Sequence, residues 1–176
     1  MPGLITDQML ELLGRPYATS TSFPIDLSAI MRWAIAVYYP EPPPPEYWDE
    51  EYAATTVHGG IIAPAEFNPF AWMSRRSTTS DAAIDVDPAL PRAGAVEHLL
   101  GVQPPDLRIG LNGGMKASYT DVPMRPGDVI TSTSALSDYM ERDGRHGRML
   151  YTTTANRWEN QQGQLVKTVY MTLIRY

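Results

Sequence analysis

The last third of the chain alternates apolar and polar side chains with a period of two residues, which is typical of β-strands with one buried face. Positions 150, 152, 154, 156 and 158 share one face of a run over 148–158. Two further runs, 129–141 and 164–175, have the same character, and Asp143-Gly144 is a strong hairpin pair. The pattern predicts three long antiparallel strands that form a meander.

The first half of the chain carries its apolar residues at helical spacings instead. One row recurs at i, i+3, i+4 and i+7: Ile30, Trp33, Ala34 and Val37. Asp26 or Ser28 is suited to cap this helix, and Pro40 ends it because the residue before a proline is disfavoured in the helical region. The spacing therefore predicts one main helix over 26–39.

Shorter elements are predicted on either side of the main helix. A small helix is expected over 6–13, an extended segment over 15–23, and a second small helix capped by Asp49. We interpret 74–110 as a long excursion with a short helix near 95–100. A loop of this length is usually functional or forms an interface.

A helix-rich first half followed by strands defines the α+β class, within a single domain spanning 1–176. One more strand, expected over 115–122, joins the meander. A long central helix wrapped by a curved antiparallel sheet is the plan of the hot-dog fold. The ketosteroid-isomerase-like cone has a similar pattern and stays open as the alternative.

Composition excludes several function classes. The 176 residues include no cysteine, which rules out disulfides, thiolate zinc sites and cysteine nucleophiles. His58, His98 and His146 are not at metal-ligand spacings, so we expect no metal and no cofactor. The net charge of −6 without a basic run argues against nucleic-acid binding.

The surface is expected to be partly covered by another subunit, because only 19% of the residues are charged against a usual value of about 25%. No apolar stretch reaches the roughly 18 residues that a membrane span needs. The N-terminal segment lacks the features of a secretory signal. We therefore expect a cytoplasmic protein.

Short segments stand in a characteristic order and spacing: 23–30 (FPIDLSAI), 32–37, 47–53 (YWDEEYA), 59–64 (GGIIAP), 111–114 (LNGG), 125–130 (RPGDVI), 160–163 and 172–175. Together they resemble the MaoC-like dehydratase family, and more narrowly its N-terminal, fatty-acid-synthase-type dehydratase branch. The resemblance covers nearly the whole chain, with 74–110 the least constrained part. It implies a hot-dog fold and (R)-specific hydration or dehydration of a 2-enoyl thioester carried on coenzyme A or acyl carrier protein.

The loop after the main helix departs from the family pattern. The family uses an aspartate and a histidine there, which handle water and the proton at Cα. In this chain Tyr39 stands in place of the aspartate, Glu41 in place of a nearby asparagine, and Tyr47 in place of the histidine. An ordinary tyrosine has a pKa near 10 and is a poor base at neutral pH. The resemblance therefore implies a hot-dog half that has lost the usual catalytic pair.

Candidate site residues follow from the same alignment. Tyr39, Glu41, Tyr47 and His58 are candidate catalytic groups, and packing or solvated roles are the alternative for each. In the family a backbone N–H after the small-residue turn holds the thioester oxygen, and Ala65 is the candidate donor because a proline precedes it. The candidate substrate-binding residues are Gly60, Ala63, Ala65, Phe67, Trp72, Asn112 and Gly113.

Three hypotheses remain open at this stage. The chain is a subunit of a heteromeric enoyl-thioester hydratase or dehydratase in which it shapes the acyl tunnel. Alternatively, it is a self-sufficient dehydratase or cyclase with a rewired site for a polyketide-like or bulky acyl substrate. In the third hypothesis it is a non-catalytic dimer that binds acyl thioesters. All three require at least a homodimer or a heteromer with a second hot-dog subunit.

Overall fold

The computed structural model describes residues 3–71, 94–144 and 147–176. Its elements are, in chain order, α1 (Asp7–Leu10), β1 (Pro16–Thr21), α2 (Leu27–Tyr38), a 3-10 helix (Pro45–Tyr47), α3 (Glu50–Thr55), α4 (Ala95–Leu99), β2 (Gly110–Tyr119), β3 (Thr131–Gly144), β4 (Gly147–Glu159) and β5 (Leu165–Arg175). Helices precede strands for the most part, so the predicted α+β class is confirmed. Most of the predicted 74–110 excursion, together with Trp72 and His146, lies outside the described residues, while α4 confirms the short helix expected near 95–100.

One antiparallel sheet contains all five strands in the order β1-β3-β4-β5-β2. The predicted meander is confirmed, because β3 pairs with β4, and β4 pairs with β5 from Leu150 to Glu159. Gly144 faces Gly147 at the end of the β3–β4 ladder, where the sequence predicts a hairpin. Strand β2 reaches the far edge beside β5, although it precedes β3 in the chain.

The expected strand over 115–122 is wrong in its bounds, since β2 begins at Gly110 and ends at Tyr119. Gly113 and Gly114 lie inside this strand. The pairing register shifts between Asn112 and Gly114, and the Asn112 Oδ1 accepts the Gly114 N–H at 2.9 Å. A Cβ on Gly113 would lie about 3.0 Å or less from side chains of β5, so only glycine fits there.

The main helix α2 begins as predicted, with the Asp26 carboxylate accepting the Ser28 N–H at 2.7 Å. Its buried residues are Ile30 and Ala34. Ile30 belongs to a core that is shared with the sheet: Ile25, Ile30, Ala63, Phe67, Met124, Ile130, Trp158 and Val166. Val37 lies in α2 as the spacing predicts, but its side chain is 55% exposed.

A second core lies at the other end of the sheet. It joins α1 to the middle of β3 and the start of β4 through Met9, Leu12, Leu136, Tyr139 and Leu150. Residues of α4 pack against its side. In the part of the chain that is described, no helix is long and apolar enough to span a membrane.

Candidate functional site

The loop after α2 exposes two of the candidate catalytic residues. Tyr39 is 79% exposed, and Glu41 is exposed as well. Both lie just beyond the end of the helix, before the proline run. A base with a useful pKa needs a fixed and partly desolvated position, which the structure does not provide for either side chain.

Tyr47, by contrast, is half-buried against the core that contains Ile30. Its ring lies 6.1 Å from the Tyr38 ring, centroid to centroid. Burial raises the pKa of Tyr47 well above its ordinary value, and hydrogen bonding with Tyr38 and the charge of Glu46 raise it further. The phenol therefore stays protonated at neutral pH and is suited to donate a hydrogen bond rather than to act as a base.

Asp49 caps α3, as the sequence predicts. Its Oδ1 accepts the N–H of Tyr52 at 3.0 Å. This satisfies one of the free donors of the first turn, and Glu50 and Glu51 favour the same helix end.

The substitution Asp49→Ala is expected to lower the free energy of unfolding by about 1 kcal/mol, because the Tyr52 N–H loses its acceptor. Urea unfolding followed by circular dichroism measures the change. Asp49→Ser is the matched control, and it should retain most of the stability because serine is also a good cap. An Asp49→Ala protein of unchanged stability would show that the cap contributes nothing.

The turn after Ile62 lies beside the 3-10 helix. The Ala63 N–H donates to the Met124 carbonyl at 2.8 Å, and the Ile62 N–H donates to the Glu46 carbonyl at 3.4 Å. A β-turn follows, closed by the Phe67 N–H on the Pro64 carbonyl at 2.8 Å. These bonds place Tyr47 and the small-residue turn in one region of the molecule.

The middle of this turn offers free backbone donors. Ala65 and Glu66 are exposed. Within the described residues, the N–H groups of Ala65 and Glu66 make no hydrogen bond to another residue. A free, fixed N–H is the kind of group that stabilises a thioester oxygen as it becomes enolate-like. The geometry is thus compatible with the donor role predicted for Ala65.

His58 and Gly60 precede this turn in the chain. The Arg125 guanidinium donates to the His58 carbonyl at 2.7 Å, and it also passes close to Gly60. The main chain of His58 therefore has a structural role. Within the described residues, no contact joins its imidazole to Tyr39 or Tyr47.

Phe67, Asn112 and Gly113 complete the predicted binding set within the described residues. Phe67 is 2% exposed and meets Trp33 edge to face at 5.6 Å, so it contributes to the core. Asn112 and Gly113 lie near the start of β2, and the turn lies near its end beside Tyr119. The separation is roughly 20 Å along the strand, so within one subunit these two residues do not join the Ala65 region.

Sequence reasoning missed a polar cluster beside the turn, formed by Lys167, Tyr119 and Glu66. The Tyr119 hydroxyl donates to the Glu66 carboxylate, and Lys167 is 3% exposed. Burial lowers the pKa of Lys167, and Glu66 opposes this effect. Burial and then Glu66 raise the pKa of Tyr119 to about 12. The sequence did contain an indication of this cluster. Lys167 shares a strand face with Val169, and a lysine that is buried on an apolar face almost always has a partner.

A metal centre has no support in the described ranges, where no three His, Asp or Glu side chains come close enough together to hold an ion. The candidate site therefore consists of the protonated phenol of Tyr47, the backbone N–H groups of Ala65 and Glu66, and the buried Lys167. It lies next to an apolar core. Such groups can orient and polarise a carbonyl compound.

An antiparallel sheet packed against the central helix α2 is the plan of the hot-dog fold. A family model described as the FAS1-like dehydratase domain region matches residues 11–169, so the chain belongs to this family. The resemblance found in the sequence is thereby confirmed, and the cone-like alternative is excluded. No curated protein sequence matches the chain.

Solved structures of the same fold include the MaoC-like dehydratase from Rhodospirillum rubrum, 19% identical over 93% of this chain and 92% of that one, with a TM-score of 0.55. The ChsH1–ChsH2 complex from Mycobacterium tuberculosis is 16% identical over 97% and 89%, with a TM-score of 0.67. The HadBC (3R-hydroxyacyl-ACP dehydratase) complex from Mycobacterium tuberculosis is 17% identical over 92% and 96%, with a TM-score of 0.52. The last two are assemblies of two different named subunits.

Proposed function

We propose that this chain is the hot-dog subunit of an enoyl-coenzyme A or enoyl-acyl-carrier hydratase or dehydratase, and that it shapes the acyl tunnel while a second hot-dog subunit supplies the aspartate and histidine. One observation carries the proposal. In the loop where the family has its catalytic pair, this chain has an exposed Tyr39, an exposed Glu41 and a Tyr47 whose pKa is raised. The Tyr47 phenol stays protonated at neutral pH, and the exposed Tyr39 and Glu41 lack the fixed, partly desolvated position that a general base needs.

The outer edge strand of the sheet favours the presence of a partner subunit. Strand β2 is an edge strand, and all of its residues except Ala117 are exposed. Leu111, Met115 and Tyr119 are 49%, 70% and 42% exposed, respectively. A long edge strand with exposed apolar side chains is a template for pairing with another chain. A second hot-dog subunit that adds its own edge strand would continue the sheet, and a cytoplasmic location would suit a soluble thioester substrate.

Exchanging the candidate residues Tyr39, Glu41 and His58 tests the proposal against a self-sufficient enzyme. Tyr39→Phe, Glu41→Gln and His58→Ala are expected to change the hydration rate of the assembled complex by less than about twofold, because general acid–base groups contribute about 10²- to 10⁴-fold and these side chains are not among them.

The rate is followed as the loss of enoyl-thioester absorbance, with the unsubstituted complex as reference. A drop of tenfold or more for any of the three, at unchanged unfolding midpoint, would favour a rewired site in this chain. A complex that binds the thioester without turnover would favour the non-catalytic alternative.

A further inference from the structure

Lys167 of β5 is buried beneath the turn that follows Ala63. Its ammonium donates to the Ala65 carbonyl at 3.0 Å and to the Phe67 carbonyl at 3.4 Å. The Trp158 ring lies 4.3 Å away, so the cation also faces an aromatic surface. These contacts attach the 64–67 turn to β5 of the sheet.

The register of the sheet explains how these groups meet. Lys167 stands opposite Tyr119 of β2 and opposite Trp158 of β4. The Tyr119 ring is 5.6 Å from the ammonium, and its hydroxyl holds the carboxylate of Glu66. The turn is therefore attached on both sides, by its carbonyls to Lys167 and by the Glu66 side chain to the edge strand.

A buried ammonium is unfavourable unless hydrogen bonds and nearby charge compensate it. An apolar residue would fill the same space without that penalty, so the charge points to a role beyond packing. The peptide unit between Ala65 and Glu66 suggests which role. In a trans peptide the C=O and N–H point in opposite directions. The Glu66 N–H therefore points away from Lys167.

The Ala65 carbonyl accepts from a cation, and hydrogen bonds in series polarise one another. The same peptide unit should therefore donate more strongly through its N–H. That N–H, on Glu66, has no partner among the described residues. The free N–H of Ala65 lies one residue before it.

We infer that Lys167 is a positioning residue: by binding the Ala65 carbonyl it orients and polarises the 65–66 peptide, so that the Glu66 N–H joins the Ala65 N–H in holding a thioester carbonyl oxygen. The inference rests on the proposed function for its ligand. It adds a second backbone donor and the buried charge that strengthens it, on β5, far in sequence from the turn.

The test compares Lys167→Met, Lys167→Arg and the unsubstituted protein, each as the full chain with its co-purified companion. Arg108→Met is the control for the loss of a surface cation, because the Arg108 side chain is 85% exposed and lies outside the helices and strands. The probe is 2,4-hexadienoyl-coenzyme A, whose absorbance moves to longer wavelength when its carbonyl oxygen is polarised.

Lys167→Met is expected to abolish most of this absorbance shift and to lower kcat about 100-fold, because a small misplacement of an oxyanion donor has an effect of that size. KM should change by less than about threefold, since the lost interaction is made mainly in the transition state. Lys167→Arg should recover part of the shift, and Arg108→Met should behave as the unsubstituted protein. Amide hydrogen exchange over 62–69 should become faster in Lys167→Met alone.

Two outcomes separate the inference from the proposed function. A shift in the unsubstituted protein that Lys167→Met retains, or unchanged exchange over 62–69, overturns the role of Lys167 and leaves the proposed function standing. Absence of probe binding to the unsubstituted complex overturns the proposed function and the ligand assigned to the turn. If Lys167→Met does not fold, Lys167→Gln, which keeps N–H donors without the charge, should show a shift between those of the Arg variant and the free probe.

Discussion

Hydration of a 2-enoyl-coenzyme A by this chain is expected to rise about 10²- to 10⁴-fold when the companion that co-purifies from the native source is added, because that is the usual contribution of a general acid–base pair. In the loop after α2, Tyr39 and Glu41 are exposed, and the raised pKa of Tyr47 keeps its phenol protonated at neutral pH. Among the described residues, the N–H groups of Ala65 and Glu66 have no hydrogen-bond partner. Backbone N–H groups bind and polarise a carbonyl oxygen, but they do not take a proton from water, which the proposal assigns to the companion.

The measurement is the rate of absorbance loss with the chain alone, the companion alone, and both together. A variant of the sheet edge is the control for assembly. Met115→Lys adds a charge to β2, where lysine discourages edge-to-edge pairing, and it should abolish the gain. Ser137→Lys introduces the same charge on the inner strand β3, where the side chain is exposed, and it should leave the gain intact.

Full activity of the chain by itself, with no companion in the preparation, would refute the scaffold role. A gain that survives Met115→Lys would place the subunit contact elsewhere on the molecule.

Arg175→Met is expected to lower the free energy of unfolding by about 3–5 kcal/mol, since it leaves a buried carboxylate without its counter-charge. Arg175 is 1% exposed, and its Nη2 donates to the Glu97 carboxylate and, at 2.7 Å, to the Thr152 hydroxyl. The Tyr139 hydroxyl donates to the same carboxylate at 3.1 Å. Burial and the charge of Glu97 raise the pKa of Tyr139, so this phenol stays protonated and keeps donating.

Thermal and urea unfolding measure the effect, and a loss of this size should lower the melting temperature by roughly 10 °C. The double variant Arg175→Met with Glu97→Leu is the decisive control. It should recover most of the stability, because among the described residues the Arg175 Nε and Nη1 are buried without hydrogen-bond partners and the ion pair is incompletely compensated. A double variant as unstable as the single one would show that packing rather than the unpaired charge of Glu97 causes the loss.

The strands that depend on short-range sequence patterns were predictable. Alternation over 148–158 and the Asp143-Gly144 pair indicate long strands and a hairpin, and β3 and β4 have that form. The start of β2 was not predictable from residue types. Asn112 and the two following glycines resemble a bend, and only their pairing with β5 shows that they form a bulge within a strand.

In the candidate site, too, only the contacts between segments that are close in sequence were predictable. Tyr47 and Ala65 come close in the chain, and the hydrogen bond between Ile62 and Glu46 connects their segments over a short distance in sequence. Lys167 is about a hundred residues further on, and its contact with Ala65 depends on the register of β5 between β2 and β4. Strand register is set by the whole buried face and by the turns, so no local pattern reveals it.

The sequence by itself determined the α+β class, the helix capped by Asp26 and the three-stranded meander, because each depends on residue identity and short-range spacing. Only the tertiary structure decided which side chains became buried polar groups. Glu97 on a five-residue helix and Arg175 at the last position of β5 look like surface charges in the sequence, and they meet in the interior because α4 packs over the end of the sheet. Burial and long-range pairing are properties of the assembled chain, which is why Lys167 and this ion pair emerge only from the fold.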